Sequence, residues 1–287
     1  MSNKVIGIIG GSGLYNMEAL KNVNELDIET PFGKPSDTFV IGEIEGQKVI
    51  FLPRHGRGHK ILPSEINYRA NIYAMKMLKV DTILSVSAVG SMKKEIEPGH
   101  IVIPHQFYDN TKGRQSTFFG NGIVAHVPLA EPICLDLAAK VNVAAQRAGA
   151  TVHYGGTYIN MEGPQFSTKA ESNIYRQWGV DVIGMTNATE AKLAKEAEIC
   201  YTTIALSTDY DCWHEEEESV TLDAIMEIIH KNVTMAQAII IETIKDIAYE
   251  KSCGCGNILQ YSIVTDKTLI PKETKQNLSE IVGKYLD

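Results

Sequence analysis

The chain has 287 residues, 44% of them hydrophobic, and a formal net charge of -8 at pH 7. That supplies one large core, excludes disorder as the overall state, and argues against a nucleic-acid-binding face, since the basic residues are scattered apart from Arg54-His55-Gly56-Arg57-Gly58-His59-Lys60. No apolar run reaches the ~18 residues of a membrane helix, the start Met1-Ser2-Asn3-Lys4 lacks a secretory pattern, and five cysteines make no disulfide framework over this length, so a soluble cytoplasmic protein is expected.

In chain order, Lys4 to Ile9 is a β-branched run predicting a first strand, and Gly10-Gly11-Ser12-Gly13 follows it directly. Glycines let backbone N–H groups and the Ser12 hydroxyl approach an anion closely, although the same residues also make an ordinary tight turn. A strand over 47–52 exits into Pro53-Arg54-His55-Gly56. There a guanidinium fork suits two phosphate oxygens and a histidine adds a further donor, while Arg54 can equally serve an ion pair within the protein. Pro63 to Leu78 carries Ile66, Ala70, Ile72, Ala74, Met75 and Leu78 on one face and predicts a helix. The run Thr82 to Ser87 predicts a strand whose exit, Ser85-Val86-Ser87-Ala88-Val89-Gly90-Ser91, has hydroxyls and small side chains that uncover backbone amides for a phosphate, or that simply pack against a neighbouring helix. Gly99 to Pro104 ends at a proline that a central strand excludes, and Pro132 to Gly149 reads as a helix closed by glycine.

Thr157 to Met161 predicts a strand joined through Glu162-Gly163-Pro164-Gln165-Phe166-Ser167 to a helix over 167–178. Phe166 can stack on a base or plug the core, Glu162 can grip sugar hydroxyls, and Ser167 can line a pocket or simply cap the helix. Val180 to Met185 is a further strand and Glu190 to Ile199 a helix. Tyr201 to Leu206 is a buried strand that exits into Ser207-Thr208-Asp209-Tyr210-Asp211-Cys212-Trp213. Strand exits are where α/β proteins bind ligands. An ionised carboxylate accepts from an exocyclic amine and a protonated one donates to a ring nitrogen, and an adenine edge offers both partners. A solvated acidic turn is the plainer account of Asp209 and Asp211. Thr221 to Tyr249 is a long amphipathic helix with Leu222, Ile225 and Met226 at i, i+3 and i+4.

Strands alternating with helices predict an α/β fold in one domain over residues 1–250. Residues 251–287 form a tail of different character, with a short helix predicted over 274–286. In Ser252-Cys253-Gly254-Cys255-Gly256-Asn257 the two thiols have no further cysteine or histidine near them in sequence. They make an incomplete zinc site, so no metal and a redox-inert or weakly structural tail are expected. The polar strand exits together describe a cleft with an anion at one end and a nitrogenous base at the other.

Five blocks resemble the signature stretches of the S-methyl-5'-thioadenosine phosphorylases, a branch of the trimeric purine nucleoside phosphorylase family: Ile8-Ile9-Gly10-Gly11-Ser12-Gly13-Leu14, Thr30-Pro31-Phe32-Gly33-Lys34-Pro35-Ser36-Asp37, Arg54-His55-Gly56-Arg57, Asn67-Tyr68-Arg69-Ala70-Asn71-Ile72 and Thr208-Asp209-Tyr210-Asp211-Cys212-Trp213. They agree in order from Val5 to about Ile247. The resemblance implies a mixed twisted β-sheet core flanked by helices, and a homotrimer or a multiple of it. It implies a pentosyltransferase of purine and methionine salvage that cleaves S-methyl-5'-thioadenosine with inorganic phosphate, giving adenine and 5-methylthioribose 1-phosphate without a cofactor. Carried over by position, Ser12, Arg54, His55, Ser87, Ala88 and Thr186 form the phosphate site. Met185 meets the ribose, Phe166 and Ser167 line the nucleoside pocket, and Asp209, Tyr210 and Asp211 read the base, with Asp209 as the catalytic acid. Leu222, Ile225 and Met226, with Ser167 and with His126 from a neighbouring subunit, select the 5' substituent.

Two stretches depart from the family: Gln165 stands where Arg is usual, and Asn187-Ala188-Thr189-Glu190 where Thr-Val-Pro-Glu is usual. Related enzymes acting on 6-oxopurines commonly carry Asn at the place of Asp209, so the acid favours a 6-amino base. To protonate N7, Asp209 needs a pKa above the ~3.9 of a free Asp, through burial or through the neighbouring Asp211 charge. The alternatives are a purine nucleoside phosphorylase preferring adenosine, inosine or methylthioinosine, and a nucleotide sensor on the same fold that keeps Arg54 and His55 without turnover.

Overall fold

The structure, a computed structural model, describes residues 4–11, 13–214, 222–247 and 253–286, and the side chains of 222–226 are outside that description. Ser12 therefore lies outside the described residues, and Leu222, Ile225 and Met226 are described as helical backbone only.

Among the described residues eleven strands form one mixed sheet. Its centre is β1 (Ile6–Gly10), flanked in parallel by β4 (Gln47–Pro53) and β5 (Thr82–Ser91). The outer edge on the β4 side is an antiparallel meander of β2 (Lys21–Leu26) and β3 (Phe39–Ile44). On its other side β5 pairs in parallel with β11 (Cys200–Asp209), from Cys200 opposite Thr82 to Ser207 opposite Val89. The last residues of β5 then turn away to pair antiparallel with β10 (Val182–Gly184), which runs parallel to β9 (Thr157–Met161), itself parallel to β7 (Gln106–Asn110). Strand β6 (Ile101–Ile103) pairs with β11 and with β8 (Val152–Tyr154). The sheet thus splits at the end of β5, beside the end of β11.

Continuous apolar runs mark strands covered on both faces, and Ile6, Ile8, Ile9, Ile83, Leu84 and Ile204 are fully buried. Helices supply that cover: α1 (Tyr68–Met77), α2 (Leu135–Arg147), α3 (Lys169–Gln177), α4 (Asn187–Glu196) and α5 (Leu222–Asp246), with α6 (Lys272–Asn277) and α7 (Ser279–Leu286) from the tail. The mixed, helix-flanked sheet is the expected class. Helix α3 starts one residue later than a Ser167 cap requires: Thr168 caps it in a capping box with Glu171. The predicted tail helix is two helices. Strands β2, β3, β7 and β8 have no counterpart among the predicted strands, although β3 opens on the apolar run Phe39-Val40-Ile41; β2 is exposed along its whole length, so it has no apolar face to read.

The C-terminal segment contributes Leu259, Ile270, Leu278, Ile281 and Val282 to the same apolar cluster as β1 and α1. Folding also corrects the cysteine expectation: Cys134 and Cys200, remote in sequence, stand beside Cys253 and Cys255. Among the described residues no helix is long and apolar enough to cross a membrane.

Candidate active site

A cavity of ≈ 480 Å³ opens where the sheet splits, lined by the exits of β1, β4, β5, β9, β10 and β11. Its walls bring together Gly11, Arg54, His55, His59, Ser87, Ala88, Gly90, Met161, Phe166, Met185, Thr186, Asp209 and Asp211. The volume is that of an ordinary small-molecule site.

At one end Arg54 is 3% exposed, and its guanidinium is largely engaged. Nε and Nη2 donate to the two carboxylate oxygens of Glu190, Nη2 also reaches Ser85 Oγ at 2.6 Å, and Nη1 donates to Val86 O at 2.9 Å. Four of the five guanidinium N–H groups are therefore turned to the protein, and the expected bidentate grip on phosphate is replaced by a bidentate grip on Glu190. Glu190 is 1% exposed and also accepts from Ser85 Oγ at 2.7 Å and Tyr201 OH at 3.0 Å. An ion pair this deep is stable only as a fully bonded unit. Asn187 extends it: its Nδ2, with two N–H groups to share, lies 3.0 Å from each of Ser85 Oγ, Tyr201 OH and Thr203 Oγ1. Thr186, buried on the cavity wall, is the N-cap residue of α4, so the positive end of that helix faces the same space. Arg57, from the same basic run, instead pairs with Glu25 at 2.7 Å.

His55 is half-buried, and burial, reinforced by the neighbouring Arg54 charge, lowers its pKa to about 4. Its Nδ1 lies 2.8 Å from Ile61 O. A carbonyl only accepts, so Nδ1 carries the proton and the neutral ring keeps Nε2 as an acceptor. This reverses the donor role expected from sequence. His59 stacks on the ring with centroids 4.3 Å apart.

At the other end the pairing of β11 with β5 shifts register between Ser207 and Asp209, a bulge that turns Asp209 onto the cavity wall opposite Gly90. Asp209 is exposed; its Oδ1 accepts from Asp211 N at 2.8 Å and its Oδ2 from Thr208 Oγ1 at 2.7 Å. Asp211, two residues on, is half-buried. Burial raises the Asp211 carboxyl, the Ser172 hydroxyl at 2.6 Å opposes this, and the Asp209 charge adds to the rise. Asp211 also has a left-handed backbone, φ 51°. Tyr210 lies off the cavity wall, its hydroxyl donating to Lys94 O and its ring stacked on His214.

Phe166 is 82% exposed on the cavity wall, which excludes its use as a core plug. Ser167 lies behind Met161, with Oγ 3.8 Å from Met161 Sδ, and is not on the wall. Met185 lines the cavity while its carbonyl accepts from Arg114. Glu162, a candidate for sugar hydroxyls, is committed to Arg114 at 2.8 Å. His126 is exposed and lies away from the cavity of its own chain, its backbone N–H bonded to Ser262 O at 2.8 Å.

The profile of the Phosphorylase superfamily matches residues 5–245. An S-methyl-5'-thioadenosine phosphorylase of Geobacter sulfurreducens is 62% identical over 284 residues, covering 99% of both chains. The crystal structure of a methylthioadenosine phosphorylase from an antarctic soil metagenomic library superposes with a TM-score of 0.94 at 48% identity, covering 98% of this chain and 99% of that one. A mutant adenosine/methylthioadenosine phosphorylase of Schistosoma mansoni, in complex with methylthioadenosine, gives 0.81 at 35% identity and 98% coverage of both. With a fold, a cavity and near full-length relatives in agreement, the chain belongs to the S-methyl-5'-thioadenosine phosphorylase family of the phosphorylase superfamily.

Proposed function

We propose that the chain cleaves S-methyl-5'-thioadenosine with inorganic phosphate, releasing adenine and 5-methylthioribose 1-phosphate. The observation that carries this reading is one cavity with donors and a helix N-terminus at one end and two adjacent carboxyls at the other. A phosphate oxygen attacks the anomeric carbon as the bond to N9 breaks, with inversion. The bonding pair goes to the purine, which takes a proton at N7. No metal or organic cofactor enters this step.

In this assignment the residue at position 12, Ser87, Ala88 and Thr186 hold the phosphate, and Arg54 contributes its one uncommitted N–H and its paired charge. His55 accepts from the protonated oxygen of hydrogen phosphate, which leaves the unprotonated oxygens to the N–H donors and to attack. Asp209 reads the amine of the base and delivers the proton to N7, with Asp211 beside it. Phe166 covers the nucleoside, Met185 meets the ribose, and Leu222, Ile225 and Met226 are assigned to the methylthio group. Exposure of His126 away from its own cavity supports its service to a neighbouring subunit in a homotrimer. Residues 1–250 are the catalytic unit, 251–287 an appended segment, and the setting is the cytoplasm in purine and methionine salvage.

Adenine release from methylthioadenosine and adenosine, and hypoxanthine release from inosine, each with and without phosphate, test the assignment. Phosphate-dependent release, fastest from methylthioadenosine, is expected. Cleavage without phosphate, or binding without turnover, overturns it.

A further inference from the structure

Four of the five cysteines meet on the side of the sheet away from the polar strand exits. Cys134 caps α2, Cys200 opens β11, and Cys253 and Cys255 arrive from the C-terminal segment. Their Sγ atoms all lie within 4.8 Å of one another, and Cys200 Sγ is 3.3 Å from Cys253 Sγ. Cys134, Cys200 and Cys255 are buried and Cys253 is half-buried. Four thiolates around one zinc ion, at Zn–S distances of about 2.3 Å, form a tetrahedron with edges of about 3.8 Å. No Sγ–Sγ separation in the cluster exceeds that edge by more than about 1 Å. Two irons bridged by sulfide hold their thiolate pairs farther apart, so the spacing favours a single ion.

The chemistry around the thiols agrees with the geometry. Lys4, Lys140 and Asp136 line the small cavity that adjoins Cys134, Cys200 and Cys253, so two ammonium groups and one carboxylate stand beside a site where four thiolates and one divalent cation leave a charge of about -2.

We propose that Cys134, Cys200, Cys253 and Cys255 form a tetrathiolate site for one zinc ion, which fastens the C-terminal segment to α2 and β11. On binding, four Zn–S bonds form, the protons held by the thiols pass to solvent, and no electron is transferred. The site stands apart from the nucleoside cavity and does not depend on the catalytic assignment.

The test uses the full chain, expressed with zinc in the medium and purified without chelator. Elemental analysis should find about one zinc per chain, and cobalt exchanged into the site should show the intense visible bands of a tetrahedral ion with thiolate-to-metal charge transfer. Substituting both Cys253→Ser and Cys255→Ser should reduce zinc to background and abolish the cobalt spectrum, whereas Cys212→Ser, outside the cluster, should retain both. Alkylation of the denatured chain in chelator without reductant should label every cysteine. Iron in place of zinc, no bound metal after dialysis against zinc, or cysteines protected from alkylation as disulfides would each overturn the proposal. Since the cobalt spectrum and the alkylation are read on the unsubstituted chain, the proposal remains testable if the double variant fails to fold.

Discussion

The two ends of the cavity use charge in opposite ways. At the anion end the charged side chains are spent: Arg54 and Glu190 are almost completely buried, and Ser85, Val86 and Tyr201 take up most of their remaining capacity. At the base end Asp209 is exposed, with single donors on each oxygen, and Asp211 sits half-buried on a left-handed backbone. A carboxylate oxygen with a free lone pair can still meet a ligand, whereas a guanidinium locked to a buried partner mainly holds walls in place. Charge near a cavity is thus a poor guide to role until the partners of each polar atom are counted.

The contrast breaks most severely at the buried pair. Arg54→Ala leaves Glu190 ionised without its counter-charge and should cost about 3–5 kcal/mol of stability, read from urea or thermal unfolding, besides raising the KM for phosphate. Adding Glu190→Gln should recover part of that stability, and a double variant no more stable than Arg54→Ala would refute the structural role. Asp209→Asn should do the reverse. The fold should change by less than ~1 kcal/mol, because the side chain is exposed. Meanwhile kcat/KM on methylthioadenosine should fall by roughly 10²-fold or more as the proton route to N7 is lost. Comparable rates in the two proteins would remove Asp209 from the reaction.

Gly90→Ala is a gentler probe of the same end. An added Cβ would stand 3.1 Å from both Asp209 Oδ1 and Ile183 Cγ2. The shift this forces should cost about 1–3 kcal/mol and appear chiefly in the KM for the nucleoside, with the KM for phosphate preserved. Equal damage to both constants would show that the two ends are not separable.

The smallest effect expected is a pH slope. His55 titrates near ~6.5 when unfolded and at about 4 in the fold, so between those values the unfolded chain binds more protons. Its contribution to stability is present above pH ~6.5 and lost as pH falls through about 4, with a slope below ~1.4 kcal/mol per pH unit because the ring is only half-buried. Urea midpoints measured across that window should fall less steeply in His55→Gln than in the unsubstituted protein. Identical slopes would place the proton elsewhere.

Much of the fold was legible because buried strands announce themselves: β1, β4, β5 and β11 are β-branched runs whose burial is nearly complete. Exposed β2, with no hydrophobic face to alternate, was not. In the site, the polar exits at Arg54, Ser87 and Asp209 could be found from position alone. The partners of Glu190, Asn187 and Arg114 could not, since they lie tens of residues away and a glutamate in the first turn of a helix looks like any surface acid. The orientation of His55 was inaccessible for the same reason: the carbonyl that sets its tautomer belongs to the returning loop at Ile61.

Strand β5 supplies both Ser87 and Ala88 at the anion end and Gly90 behind Asp209 at the other. The two ends are therefore separated by a few residues of extended backbone, at about 3.3 Å each, paired with β11 as far as Val89 and with β10 at Gly90 and Ser91. Such a spacer cannot stretch, and a slip by one residue would turn every side chain to the opposite face. On the proposed assignment the backbone acts as a ruler: a ligand whose anion and base are spaced differently would meet only one end of the cavity.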